Sequence, residues 1–305
     1  MKTLLEWLLE RFPDTPKKRA KQWIAAGRVS VNGVVLRKPQ QSLPNPGAGL
    51  QLLDRQAKTL DCGPGGLTIH PRLILLHLDA ALAVVNKAPS LLSVPAENYE
   101  LSALSILADV LAGKLRTAQL IPAAYRQLQP LPVHRLDQFT SGVFCMAMNP
   151  AARQKLIDQL SAHTMKRQYV AYVEGRLPAP TGTWHNWLKL SADELRQFVI
   201  PKAEPEALEA ITHYEVIREF ANVTKLRLRL ETGRRHQIRV QAAHAGVPLV
   251  GDRTYNPQGR IEFSRQALHA ETLSLEHPDK PGVRMTWTAA LPKDMRQLEA
   301  TLQRA

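Results

Sequence analysis

The 305-residue chain has only two cysteines, Cys62 and Cys145, in unrelated contexts and without Cys-x-x-Cys spacing. That speaks against a disulfide framework and a cysteine-based zinc site, and a reducing cytoplasm is the expected compartment. No apolar run approaches the roughly 20 residues that a membrane-spanning helix needs. The first ten residues are rich in leucine, but Glu6 and Glu10 interrupt them, so an amphipathic helix is expected there and not a signal peptide. Gly-x-Ser-x-Gly, Walker and Gly-x-Gly-x-x-Gly patterns are missing, as is His-Glu-x-x-His. Serine-elbow hydrolysis, P-loop chemistry, dinucleotide redox chemistry and zinc hydrolysis therefore have no basis in the sequence. No metal and no cofactor is expected. No internal repeat is present.

Acids are scarce too: 27 Asp and Glu stand against 40 Lys and Arg, a net charge of +13. Such a balance fits a polyanionic partner, nucleic acid first. The charge is uneven, since residues 1–60 hold 11 Lys and Arg against 4 acids, over half of the excess. The hydrophobic fraction of 44% is ordinary and suffices for a sizeable core.

Within residues 1–60, Leu4, Leu5, Leu8 and Leu9 recur at helical spacing until Phe12-Pro13. A second helix is expected over 17–26, ended by Gly27, with Ala20, Trp23 and Ile24 on one face. Lys17, Lys18, Lys21 and Arg28 occupy much of the remainder. Residues 29–36, with Asn32-Gly33 at their centre, read as a β-hairpin, because both turn positions need positive φ. Helix, basic helix and hairpin in this order resemble the RNA-binding fold of a small-subunit ribosomal protein, the S-four type. The likeness rests on the stretch from Gln22 to Gly33. It implies RNA contact through Lys17, Lys18, Lys21 and Arg28, whereas the plain reading of such a face is solvated charge.

Asp61-Cys62-Gly63-Pro64-Gly65-Gly66 marks a break. Residues 61–72 are expected to link the front domain, 1–60, to a second domain over 73–305. In the latter, 81–87, 143–148, 166–175 and 226–230 read as strands, and 102–112 and 151–162 as helices. Strands and helices are interspersed without a βαβ rhythm, which predicts an α+β fold with a mainly antiparallel, mixed sheet.

The most informative stretch is His134-Arg135-Leu136-Asp137-Gln138-Phe139-Thr140-Ser141-Gly142, a loop that enters a hydrophobic strand. Taken alone, an arginine two positions before a carboxylate is a surface salt bridge far more often than a catalytic site. Two further stretches change its meaning. One is Lys166-Arg167-Gln168-Tyr169; the other is Gly233-Arg234-Arg235-His236-Gln237-Ile238-Arg239, followed by Gly251-Asp252-Arg253-Thr254-Tyr255. Asn86-Lys87-Ala88-Pro89 precedes them, and Leu268-His269-Ala270 and His277-Pro278 follow. In this order, over about residues 73–290, they resemble the RluA-type pseudouridine synthases, isomerases that act on uridine in structured RNA.

The resemblance implies an isomerase and assigns roles. Asp137 stands where the family has its catalytic aspartate, Tyr169 where it has the tyrosine under the uracil ring, and Arg239 where an arginine pairs with the aspartate. Arg135 matches the arginine that enters the RNA stack when the target is extruded; Arg235 and Gln237 are expected to contact RNA. The chemistry agrees. Moving the sugar from nitrogen 1 to carbon 5 of uracil needs no redox change and no group donor, and a carboxylate serves as nucleophile, electrostatic partner or base. Burial under RNA would push the Asp137 pKa upward, so a cation beside it is required. A phenol is a poor base at neutral pH, so stacking is the firmer role for Tyr169. Reacting atoms inside a stack are inaccessible, hence extrusion, which is easiest in loops and bulges.

The sequence departs from the family pattern at Ala88, at Leu92-Ser93-Val94-Pro95 in place of a His-Pro, at Gln241 and at Asn256. The expectation is an RNA pseudouridine synthase, monomeric and cytoplasmic, acting on large-subunit ribosomal RNA. A transfer-RNA synthase and a non-catalytic ribosome-assembly factor are the alternatives.

Overall fold

The computed structural model describes residues 2–304 except 26–27, 33, 53–58, 64, 96–100, 123–124, 127, 194 and 202–203. Two units separate along the chain, Met1–Lys58 and Thr59–Ala305.

The front unit opens with β1 (Lys2–Thr3) and α1 (Leu4–Arg11). Thr3 starts α1 through a capping box: its hydroxyl accepts from the Glu6 amide, and the Glu6 carboxylate accepts from the Thr3 amide. Then come α2 (Lys17–Ala25), β2 (Val29–Val31), β3 (Val34–Leu36), β4 (Ser42–Leu43) and β5 (Leu50–Leu52). Leu4, Leu5 and Leu8 pack with Ala20, Ile24, Val29 and Leu50 into one small core. The expected hairpin is β2–β3, with Asn32 in the left-handed region at φ 50°; Gly27 and Gly33 lie outside the described residues. β5 adds a third strand to β2 that three residues of sequence do not announce.

The second unit runs β6 (Leu67–His70), β7 (Leu73–Leu78), β8 (Leu82–Lys87), α3 (Ala103–Leu111), β9 (Leu131–Pro132), β10 (Ser141–Ala147) and α4 (Pro150–Ser161). It continues with β11 (Lys166–Glu174), β12 (Thr181–Leu190), β13 (Gln197–Ile200), β14 (Leu208–Glu219), β15 (Val223–Leu230) and α5 (Gln237–His244), and ends with β16 (Leu268–Glu276), β17 (Arg284–Thr288) and α6 (Lys293–Leu302). The strands form one sheet in the order β13-β12-β14-β15-β11-β16-β10-β8-β7-β6, with β17 on β16 and β9 on β10. Every named pairing is antiparallel except β10 with β16, so the mixed, mainly antiparallel α+β fold is what forms.

Cys145 is a core residue, packed with Val84, Val143, Leu156 and Leu273 where α4 covers the sheet. Burial pushes its thiol up to about 12, far from nucleophilic character. α6 covers Tyr172, Phe220 and Val223 elsewhere on the sheet. Residues 67–70, expected inside the linker, are instead the edge strand β6, with Ile69 buried. Its four residues are too short to stand out against the glycines and proline just ahead of it.

The parallel β10–β16 pair locates the Asp137 loop. Gly142, at φ 118°, faces Ala270 so closely that a Cβ would collide with the Ala270 backbone. The end of the Asp137 loop is thereby seated at the middle of the sheet.

Candidate active site

Asp137, Tyr169 and Arg239 are far apart in sequence and line one cleft of about 790 Å³. Asp137 sits in a turn closed by a hydrogen bond from the Thr140 amide to its carbonyl. Tyr169, 6% exposed, comes from β11 beside an irregularity in the β11–β16 register, the kind of local kink that re-aims a side chain. Arg239 comes from the first turn of α5 and is buried.

The Asp137 loop is held mainly by groups outside its own motif. Ser93 accepts from the Leu136 amide at 3.0 Å and donates to the Leu136 carbonyl at 2.8 Å. Lys87, fully buried, donates to the carbonyls of Ala88, Leu91 and Gln138. Burial and the nearby Arg265 bring its ammonium down to about 7, against the pull of Asp137. Arg265 holds the Phe139 carbonyl and is itself paired with Asp294 at 2.7 Å. His134 anchors the start of the loop, accepting the Cys145 amide on Nε2 at 3.2 Å.

Arg239 is itself oriented. Its Nε and Nη2 donate to the two oxygens of Asp252 at 2.6 and 2.8 Å, and its Nη1 reaches Asp137 Oδ2 at 3.2 Å. Although burial alone would lower the guanidinium pKa, the hydrogen bond and charge of Asp252, and then Asp137, hold it above its ordinary value. It is a permanent cation beside the carboxylate. Burial raises the Tyr169 phenol, and the charge of Arg167 works against that rise. Deprotonated tyrosine is therefore not the resting form, and the ring offers the cleft an apolar platform.

The other expected RNA contacts divide. Arg135 is exposed and lines the cleft, and Arg235 is exposed outside its wall. Gln237 is not placed to meet RNA: it is 3% exposed, and all four of its side-chain hydrogen bonds are internal. Its oxygen accepts from Thr232 Oγ1 and the Arg234 amide; its nitrogen donates to the Ile211 carbonyl and Thr212 Oγ1. It fixes the start of α5 against β14. Gln241, one turn further on, accepts from Thr212 and donates to the Trp184 and Ala210 carbonyls. In the front unit Lys17, Lys18 and Lys21 are exposed on α2, while the Arg28 guanidinium lies over the Trp23 ring at 5.6 Å.

One cluster has the composition of a metal site, His77, Asp79 and His277, and none of its members lines the cleft. Hydrogen bonds account for it. Asp79 Oδ2 takes both imidazole Nε2 atoms, at 2.9 and 2.7 Å, and Oδ1 accepts the Ala81 and Leu82 amides. His277 Nδ1 accepts the Asp279 amide, so its proton sits on the nitrogen facing Asp79, which cannot then ligate a cation.

The sequence motifs point to the carboxylate, the tyrosine and the arginine but give no role to Lys87, His236, Asp252 or Ser93. His236 lies between residues of the Arg239 motif, while Lys87 and Asp252 fall in the Asn86–Pro89 and Gly251–Tyr255 stretches, where no residue is singled out. Ser93 falls in a stretch notable only for its departure from the family pattern, and nothing local marks it.

Residues 81–244 match the family RNA pseudouridylate synthase, and residues 3–47 match the S4 domain. Ribosomal large subunit pseudouridine synthase D of Yersinia pestis is 34% identical, over 95% of this chain and 88% of the relative. The protein of that name in Pseudomonas aeruginosa is 33% identical, over 96% and 89%. Among solved structures, human RNA Pseudouridylate Synthase Domain Containing 4 superposes with a TM-score of 0.58 at 20% identity, covering 75% of this chain and 92% of its own, a likeness of fold. Motifs, sheet and cleft agree with these matches: the chain belongs to the RNA pseudouridylate synthase family, with an S4 domain ahead of the synthase domain.

Proposed function

We propose that this protein converts a uridine of large-subunit ribosomal RNA to pseudouridine, with Asp137, Tyr169 and Arg239 as its catalytic residues. The observation that carries the reading is the ion pair of Asp137 with a buried arginine, in a cleft that also holds a buried tyrosine and is rimmed by Arg135. The RNA preference rests on the large-subunit relatives that match the chain almost end to end. Their bacterial setting supports a cytoplasmic enzyme.

In this reading Arg135 fills the gap in the RNA stack as the target uridine turns into the cleft. Asp137 offers its negative charge to the sugar as the bond from carbon 1′ to nitrogen 1 breaks. Arg239 supplies the counter-charge beside that carboxylate. The freed uracil turns on the Tyr169 ring, carbon 5 bonds to carbon 1′, the proton leaves carbon 5 and nitrogen 1 gains one. Nothing is added or lost overall.

The test compares pseudouridine maps of total RNA from cells with and without the gene, and of deletion cells carrying Asp137→Asn. Loss of one or a few large-subunit pseudouridines, restored by the wild type and not by Asp137→Asn, is the expected result. Sites lost in transfer RNA alone would overturn the substrate, and full restoration by Asp137→Asn would overturn the mechanism.

A further inference from the structure

Two groups converge on one oxygen of Asp137, and only one of them is Arg239. His236 places Nε2 4.0 Å from Asp137 Oδ2, the oxygen that Arg239 Nη1 meets at 3.2 Å. Among the described residues no donor reaches Oδ1. His236 also lines the cleft.

Its imidazole is held from behind. The Gln197 amide donates to the Tyr255 hydroxyl oxygen at 2.8 Å, and that hydroxyl lies 3.1 Å from His236 Nδ1. With the amide donating to its oxygen, the hydroxyl's own proton has Nδ1 as its one acceptor among the described residues, the arrangement that satisfies both groups. The one proton of a neutral imidazole then sits on Nε2, pointing at Asp137. Burial favours that neutral form by lowering the His236 pKa, against the pull of Asp137. Tyr255 is fixed in turn, its ring under the Arg239 guanidinium at 5.1 Å and its amide donating to Asp252. His236 is moreover one of five non-glycine residues in the left-handed region among the described residues, at φ 53°, and caps α5 with no side-chain hydrogen bond to the helix. A histidine kept there is held at a cost in backbone energy, which is a reason to look for a role.

We propose that His236 is a positioning residue: with Arg239 it holds Asp137 by Oδ2 and leaves Oδ1 to face the target nucleotide. The inference rests on the function proposed above. At 4.0 Å the contact is too long for a hydrogen bond, and catalytic hydrogen bonds commonly tighten only in the reacting complex. Once RNA fills the cleft, Nε2–H and Nη1–H together fix the carboxylate plane, and Tyr255 prevents the tautomer that would turn a lone pair toward Asp137.

The experiment follows tritium release from a large-subunit ribosomal RNA transcript carrying 5-tritiated uridine. It compares the wild type, Asp137→Asn, His236→Ala, His236→Gln, His236→Asn and Tyr255→Phe, all as full-length chains. His236→Ala is expected to lower kcat about 100-fold, the usual loss for one donor at a reacting charge, with KM within threefold. His236→Gln, whose amide can reach the Nε2 position, is expected to recover most of that loss. His236→Asn suits the left-handed backbone but is too short, and is expected to fold and stay slow. Tyr255→Phe is expected to lower kcat about tenfold. A kcat for His236→Ala within twofold of the wild type overturns the proposal. So does a loss confined to KM, or His236→Asn performing as well as His236→Gln. Release by Asp137→Asn at the wild-type rate, or none by the wild type, strikes the proposed function itself and is read from separate arms.

Discussion

Arg239 gives Asp252 two N–H donors and Asp137 only one. The tighter, fully buried partner orients the guanidinium; the looser one is left able to interact with something else. Asp252 Oδ1 also accepts the amides of Thr254 and Tyr255, so one carboxylate seats both Arg239 and Tyr255. Replacing it by asparagine keeps the shape but leaves a buried cation without its main counter-charge. Breaking such a pair typically costs about 3–5 kcal/mol. Asp252→Asn is therefore expected to lower unfolding stability by that order in urea titrations, and to slow single-turnover pseudouridine formation even where the protein is fully folded. A variant as stable and as fast as the wild type would show that Asp137 alone suffices to place Arg239.

Ser93 closes both backbone groups of Leu136, the residue before Asp137. Ser93→Ala strands a buried amide and a buried carbonyl, each worth about 1–3 kcal/mol when unsatisfied. The expected outcome is a destabilisation of about 2–6 kcal/mol, with kcat reduced and RNA affinity held within threefold. Retained kcat would mean that Lys87 and Arg265 hold the loop without help.

Most of the fold, and the three residues that meet in the candidate cleft, are legible because local signals agree with the global structure. Residues 143–148 read as a strand because they are continuously apolar, and β10 is buried along its whole length. Asp137, Tyr169 and Arg239 came from motifs in a fixed order. What stayed hidden depends on long-range pairing. The Ser93–Leu136 bonds span 43 residues and the Lys87–Gln138 bond spans 51, and neither leaves a periodicity behind. Gln237 reads as an RNA contact because a polar residue between two arginines looks like a binding surface. Only the fold reveals that β14, Thr232 and the Arg234 amide use every hydrogen bond it can make.

The front unit carries its charge on an exposed helix face, Lys17, Lys18 and Lys21. If these lysines meet phosphates, removing one lysine–phosphate pair reduces the slope of log affinity against log salt by about 0.7–0.9. Replacing all three by glutamine is expected to flatten that slope by about 2 and to weaken RNA binding at low salt, with kcat at saturating RNA unchanged. An unaltered slope would make this face solvated charge and nothing more.

His134 links acid stability to the Asp137 loop. Burial pulls its imidazole down to about 3, and the nearby Arg167 acts in the same direction; the free side chain titrates near 6.5. Between those values the unfolded chain binds a proton that the folded protein refuses, so stability falls as pH drops through this window. Above about pH 6.5 the contribution is fully present. Below the folded pKa the ring is charged, and Nε2 no longer accepts the Cys145 amide that ties the loop to β10. His134→Gln keeps an acceptor of similar reach and cannot titrate. It is expected to be about 1 kcal/mol less stable than the wild type near pH 7.5, the usual worth of one imperfect hydrogen bond. By pH 4.5 the difference should be gone or reversed. Urea unfolding curves across this range check it: parallel pH profiles for the two proteins would show that acid acts elsewhere, the buried Asp79 cluster being the first place to look.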